Sequence, residues 1–103
     1  MICAEFYKSG GLFGGFEISG HSGYAESGED IVCASVSSAV QLIVNILDES
    51  GCNPSANAVD NTVSCSVRSS EKNADVFIRV FRNHLESILE EFPDTIKITI
   101  SEV

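Results

Sequence analysis

The sequence predicts an α+β fold: a mixed, mainly antiparallel sheet of four to five strands with two helices packed on one face. Three observations carry this. Segments 31–50 and 74–92 hold apolar residues at helical spacing. Segments 2–8, 13–19, 62–68 and 96–100 hold β-branched and aromatic residues in alternation. The helices are separated by hairpins, which suggests an α+β sandwich. A chain of 103 residues buries somewhat over ~60% of its unfolded surface, enough for one core. The chain therefore reads as a single domain over residues 1–103.

Each element has a local cause. ICAEFYK (2–8) is a strand, Ser9-Gly10-Gly11 a turn, and FGGFEIS (13–19) the returning antiparallel strand, with Gly14-Gly15 marking a bulge or kink. A phosphate-cradling reading of SGGLFGG fails, because a second strand follows it and no P-loop lysine does. Residues 20–29 form a polar loop containing Gly20, Gly23 and Gly28. Asp30 is a suitable N-cap for a helix over Ile31–Ser50 that Gly51 ends. Its apolar residues cover more than one face, so it is expected to be buried against the sheet or a second subunit. Ala34, Ser35, Ser37 and Ser38 keep its first turns slender.

Further along, residues 53–61 form a polar connection with an optional edge strand at 56–59. Asp60-Asn61 then turns into strand 62–68, where Val63, Cys65 and Val67 face the core. From Ala74 to Phe92, Phe77, Ile78, Phe81, Leu85, Ile88, Leu89 and Phe92 recur at three- and four-residue steps opposite Glu86, Glu90 and Glu91. This is an amphipathic helix with His84 at the border of its apolar face. Pro93-Asp94 stops it. Ile96, Ile98 and Ile100 alternate with polar residues in a final strand.

The charge balance narrows the partners. Fifteen acidic against six basic residues give a net charge of -9, which disfavours direct nucleic-acid binding and suits either simple solubility or a basic peptide. Uninterrupted apolar runs fall short of the ~18 residues of a membrane span. No basic segment leads into an apolar stretch at the N-terminus, so no secretory signal is expected and the protein is assigned to the cytoplasm, away from membranes. The four cysteines, Cys3, Cys33, Cys52 and Cys65, form no C-x-x-C pair. Structural zinc and a disulfide framework are both unexpected, and most of these cysteines should be buried apolar residues. No cofactor is called for.

Chemistry concentrates at the junction of the polar loop and the first helix. A cysteine thiol with a pKa near ~8.5 becomes a thiolate more readily at a helix N-terminus or beside an imidazolium. Cys33 is expected in the first helical turn, where unpaired N–H groups favour negative charge and can hold an oxyanion. His21 can accept the thiol proton and return it to a leaving amine. Ser37 lies one helical step from Cys33, on the same face. Asp30 either caps the helix or orients His21. The spacing alone does not bring His21 to Cys33, since twelve extended residues can span roughly 40 Å. A buried, inert Cys33 is the alternative on these residues alone.

The run Gly20-His21, then Gly28, then Asp30-Ile31-Val32-Cys33-Ala34, then Ser37 resembles the signature of the ribosomal-processing cysteine protease family, Prp. The element order is similar to that family along essentially the whole chain. The resemblance implies a Cys–His peptidase that removes a short N-terminal extension from large-subunit ribosomal protein number twenty-seven. It also implies a homodimer and a loop that closes over substrate. By position, His21 and Cys33 are then the catalytic pair, with Gly20, Asp30 and Ser37 as supporting or substrate-binding residues. The family often has alanine where this chain has Ser22. An acidic surface would attract the basic residues of such a substrate. The alternative from another class is a non-catalytic ribosome-assembly module that binds the same protein. A redox role for Cys33 lacks a resolving cysteine in the motif.

Overall fold

The computed structural model describes residues 1–20, 27–68, 71 and 73–102, and of residues 27–30 the backbone alone. His21 and the loop that follows it to residue 26 lie outside the described residues. The elements are β1 (Ile2–Ser9), β2 (Leu12–Ser19), α1 (Ser27–Glu49), β3 (Ser55–Val59), β4 (Thr62–Ser66), α2 (Ala74–Glu91) and β5 (Ile96–Glu102). The five strands form one sheet in the order β3-β4-β2-β1-β5. Every pairing is antiparallel except β1 with β5, so the sheet is mixed and mainly antiparallel, as the sequence implies. The optional edge strand exists, as β3.

The β1–β2 hairpin pairs Phe6 with Phe16, but its register shifts at Tyr7/Lys8, so that Tyr7 faces Gly15 while Lys8 faces Phe13. Gly14 is the extra residue of a bulge. Its effect follows from the two-residue period of a strand. In a regular strand of this sequence Phe13, three residues from Phe16, would point to the opposite face from Phe16 and Ile18; with the bulge all three are buried on the same side. Phe13 then meets Phe6 edge-on at 6.2 Å between ring centroids. Phe81 from α2 completes the cluster, 4.9 Å from Phe16 and 5.7 Å from Phe6. The Asp75 carboxylate in the first turn of α2 accepts the Phe13 N–H at 2.9 Å, tying the helix start to the hairpin.

Both helices cover this face. α2 buries Ala74, Ile78, Phe81, Leu85 and Ile88, the stripe expected from its spacing. α1 contributes Val32, Val36, Ala39, Val40, Ile43 and Leu47 to the same cluster. It ends in a Schellman motif. The Cys52 N–H donates to the Leu47 carbonyl at 3.0 Å and the Gly51 N–H to the Asp48 carbonyl at 3.2 Å, with Gly51 at φ 78, a left-handed angle that glycine takes without a Cβ clash. The other sheet face is polar. Glu5 and Glu17 oppose each other across β1 and β2. Glu5 accepts hydrogen bonds from the Tyr7 hydroxyl at 3.1 Å and the Ser101 hydroxyl at 2.7 Å. Burial, the hydrogen bond to Glu5 and the charge of Glu17 push the Tyr7 phenol up.

Three sequence expectations need correction. α1 begins at Ser27, ahead of Asp30, so Asp30 lies within the first turn and is not the N-cap. Polar, glycine-containing sequence concealed that extra turn. Two of the four cysteines, rather than most, are buried: Cys65, as expected from its strand, and Cys52, while Cys33 is half-buried and Cys3 is exposed on the polar sheet face. Finally, Ile31–Glu49 is long and apolar enough to cross a membrane by length and composition, with a mean hydropathy of 1.7. Counting unbroken apolar runs missed this, because serines and asparagine punctuate the segment. Its buried residues belong to the core beside α2 and the sheet.

Phe81 joins α2 to two strands at once. Phe81→Ala is expected to lower unfolding free energy by about 3–5 kcal/mol, read as a reduced urea midpoint at unchanged slope.

Candidate active site

Cys33 is half-buried on α1. It lines a cavity of about 320 Å³ between the start of this helix and the ends of β1, β2 and β4. Ser37, one turn further along α1, lines the same cavity, as the four-residue spacing requires. Ile2, Ile18, Val36, Val40 and Val63 give it apolar walls, and Gln41, Asp60 and Asn61 supply polar groups.

Gly20 is the cavity's third residue from the sequence motif. Its N–H donates to the Asn61 carbonyl at 3.2 Å, holding the end of β2 against the β3–β4 turn. Its φ is +85, and a Cβ built there would stand 2.6 Å from the Met1 carbonyl oxygen. Two constraints therefore select glycine: a left-handed backbone and a close approach of β1. Gly20, Cys33 and Ser37 thus share one cavity, although they come from two elements. The Asp30 backbone sits in the first turn of α1, and its side chain lies outside the described residues, as does His21.

The helix start changes the electrostatic argument for Cys33. The unpaired N–H groups of a helix belong to its first four residues. With α1 starting at Ser27, those groups lie ahead of Cys33, which occupies the second turn. Dipole stabilisation also fades beyond the first turn. The oxyanion-holding N–H groups expected around Cys33 therefore lie a turn ahead of it.

The other candidates separate cleanly. Cys52 and Cys65 are core residues, and burial pushes the Cys65 thiol up. His84 lines a groove between α1 and α2 with Leu42, Val76 and Val80, which does not include Cys33. Among the described residues, no three His, Cys, Asp or Glu side chains cluster as a metal site would require. Sequence reading missed Asp60 and Asn61 as cavity residues. They read as a hairpin turn, and they reach the cavity only because β4 pairs with β2 and brings that turn beside Gly20.

Two outcomes check this geometry. Brief iodoacetamide treatment of the native protein should label Cys33 and Cys3, with Cys52 and Cys65 labelled only after denaturation, as read by peptide mass spectrometry. Gly20→Ala should cost more than about 1 kcal/mol in urea unfolding, because alanine is strained at positive φ and its methyl meets Met1.

Comparison with known proteins gives the lineage. The family model described as cysteine protease Prp matches residues 1–97. No curated protein matches the chain. Solved structures do. SMU.848 from Streptococcus mutans is 27% identical with a TM-score of 0.80, covering 100% of this chain and 96% of its own. The essential ribosomal processing protease Prp from Staphylococcus aureus, in complex with a covalently linked product peptide, is 25% identical with a TM-score of 0.83, covering 98% of this chain and 100% of its own. The same protease in complex with a substrate peptide is 24% identical with a TM-score of 0.87 over the same shares. With a family model spanning nearly its whole length and the same fold in its solved relatives, the chain belongs to the Prp family of cysteine proteases.

Proposed function

We propose that this protein is the endopeptidase that removes the N-terminal extension of its host's large-subunit ribosomal protein number twenty-seven, using Cys33 as nucleophile and His21 as base and acid. The observation that carries this is the shared cavity. Cys33 lines it, and so does Gly20, the residue bonded to His21. The S. aureus relative with a covalently linked product peptide supports a covalent route.

In this reading the His21 imidazole takes the Cys33 proton, and the thiolate sulfur attacks the scissile carbonyl carbon. The tetrahedral intermediate collapses as the imidazolium protonates the departing amine, leaving a thioester on Cys33. The imidazole then takes a proton from water, whose oxygen attacks the thioester and releases the new carboxylate and the thiol. Ser37 lines the cavity one turn beyond the nucleophile, and Asp30 lies one turn before it. Both are assigned supporting roles.

The surroundings fit a basic peptide. Asp60 lies on the cavity beside Cys33, and the whole chain carries a net charge of -9. We also assign a cytoplasmic location and a homodimer. The dimer is supported by Leu42, Val76 and Val80, which stand exposed along the apolar groove between α1 and α2.

The decisive experiment incubates the protein with the host's full-length ribosomal protein and weighs the products. Cys33→Ala should abolish cleavage, and His21→Ala should lower kcat by about 10²–10⁴-fold. Retained cleavage in Cys33→Ala would remove this assignment, and tight binding without cleavage by the unaltered protein would make it a binding module. The specificity constant on a lysine-containing peptide should fall as ionic strength rises, because screening weakens long-range attraction.

A further inference from the structure

The N–H groups at the start of α1 lie a turn ahead of Cys33, so an oxyanion formed at its sulfur needs another donor. α1 roofs the cavity with Cys33, Val36, Ser37, Val40 and Gln41, and residues of β1, β2 and β4 form its floor. Ile18 of β2 pairs with Val63 of β4. Two residues further along the same register, Gly20 stands against Asn61, and the Gly20 N–H donating to the Asn61 carbonyl at 3.2 Å closes that pair. By the two-residue period of a strand, Gly20 and Asn61 share a side with Ile18 and Val63, the side that α1 covers. Ile2, Gly20 and Asn61 thus make the outer row of the floor, and its one polar side chain is the Asn61 amide.

Position along the cavity separates the donors. Val40, Gln41 and Val63 also line a neighbouring hollow of about 380 Å³, whereas Gly20, Cys33, Ser37 and Asn61 line the first alone. Asn61 therefore lies at the Cys33 end. Gln41, the other amide, is eight residues from Cys33, about 12 Å along the helix at roughly 1.5 Å per residue and out of reach of an oxygen at the sulfur. Asp60 brings a carboxylate, whose charge opposes an oxyanion. Ser37 belongs to the roof, on the helix that carries the sulfur. The Asn61 main chain is held by the Gly20 tie and by a two-residue turn in which Asp60 takes φ 54. Its amide makes no hydrogen bond among the described residues. A fixed and uncommitted donor of this kind stabilises charge that appears only in the transition state.

We infer that Asn61 is a further catalytic residue, whose side-chain N–H donates to the oxyanion formed at Cys33. The inference rests on the peptidase reading above. As the thiolate sulfur bonds to the scissile carbonyl carbon, the carbonyl π pair moves onto the oxygen. Asn61 Nδ2 donates a hydrogen bond to that oxygen and keeps its proton. On collapse the pair re-forms the carbonyl, the C–N bond breaks, and the amine leaves with the proton that the imidazolium supplies.

The test measures Asn61→Ala and Asn61→Asp on the N-terminal peptide of the host ribosomal protein. In both, kcat should fall by about 10²–10³-fold, with KM moved by less than about threefold. Alkylation of Cys33 by iodoacetamide forms no oxyanion, so its rate in Asn61→Ala should match that of the unaltered protein. Binding of the same peptide to Cys33→Ala should likewise be unmoved when Asn61→Ala is added. A kcat in Asn61→Ala within about threefold of the unaltered value would overturn the inference. So would a loss carried by KM alone, or alkylation that slows in step with kcat, the mark of a structural role. Any of these results beside Cys33-dependent cleavage by the unaltered protein removes the role of Asn61 alone. If the unaltered protein shows no Cys33-dependent cleavage, the peptidase reading falls and this inference with it.

Discussion

The packing of Phe81 against Phe16, with ring centroids 4.9 Å apart, is the contact on which the arrangement turns. Phe16 lies on β2, the strand that pairs with β1 on one side and β4 on the other. Phe81 lies midway along α2. One aromatic contact thus fixes a helix over the middle of the sheet, and the bulge at Gly14 lets Phe13 join the same side. Aromatic pairs in such geometry contribute about 0.5–1.5 kcal/mol beyond the area they bury. With β2 held from both sides and above, its end at Gly20 has a defined place between Met1 and Asn61.

That end is where architecture becomes chemistry. β2 delivers Gly20 to the cavity, α1 delivers Cys33 and Ser37, and the β3–β4 turn delivers Asp60 and Asn61. The cavity's apolar walls are residues of the core cluster or packed against it, so its shape is set by the same burial that stabilises the fold. α1 serves two purposes at once. Its Val32, Val36, Val40 and Leu47 are buried in the core, while Ile31 and Leu42 are 53% and 61% exposed. A helix apolar on several faces leaves surface free for grooves, one running from Cys33 towards β3 and another beside α2. A wider covering of the sheet would close the first of these.

Much of this was legible in the chain. The amphipathic spacing of Phe77–Phe92, the alternation in 62–66 and the glycine pair at 14–15 each specify a local structure that tertiary packing preserved. The motif from Gly20 to Ser37 identified the candidate site and the family. The start of α1 was misjudged, because Ser27-Gly28 reads as loop by intrinsic preference and becomes helix in context. The burial of most cysteines was overestimated, because strand β1 leaves one face open to solvent and Cys3 stands on it.

The sequence by itself determined the elements and singled out Cys33, because helical and strand periods are local and a motif is read along the chain. Tertiary structure alone decided which separated residues meet. Gly20 and Asn61 touch only because β2 and β4 are neighbours, and Asp60 reaches the cavity by the same pairing. The groove beyond Cys33 was likewise invisible in the sequence, because it arises from what α1 fails to cover. Which strand stays uncovered depends on the order β3-β4-β2-β1-β5, a long-range property that no local period encodes.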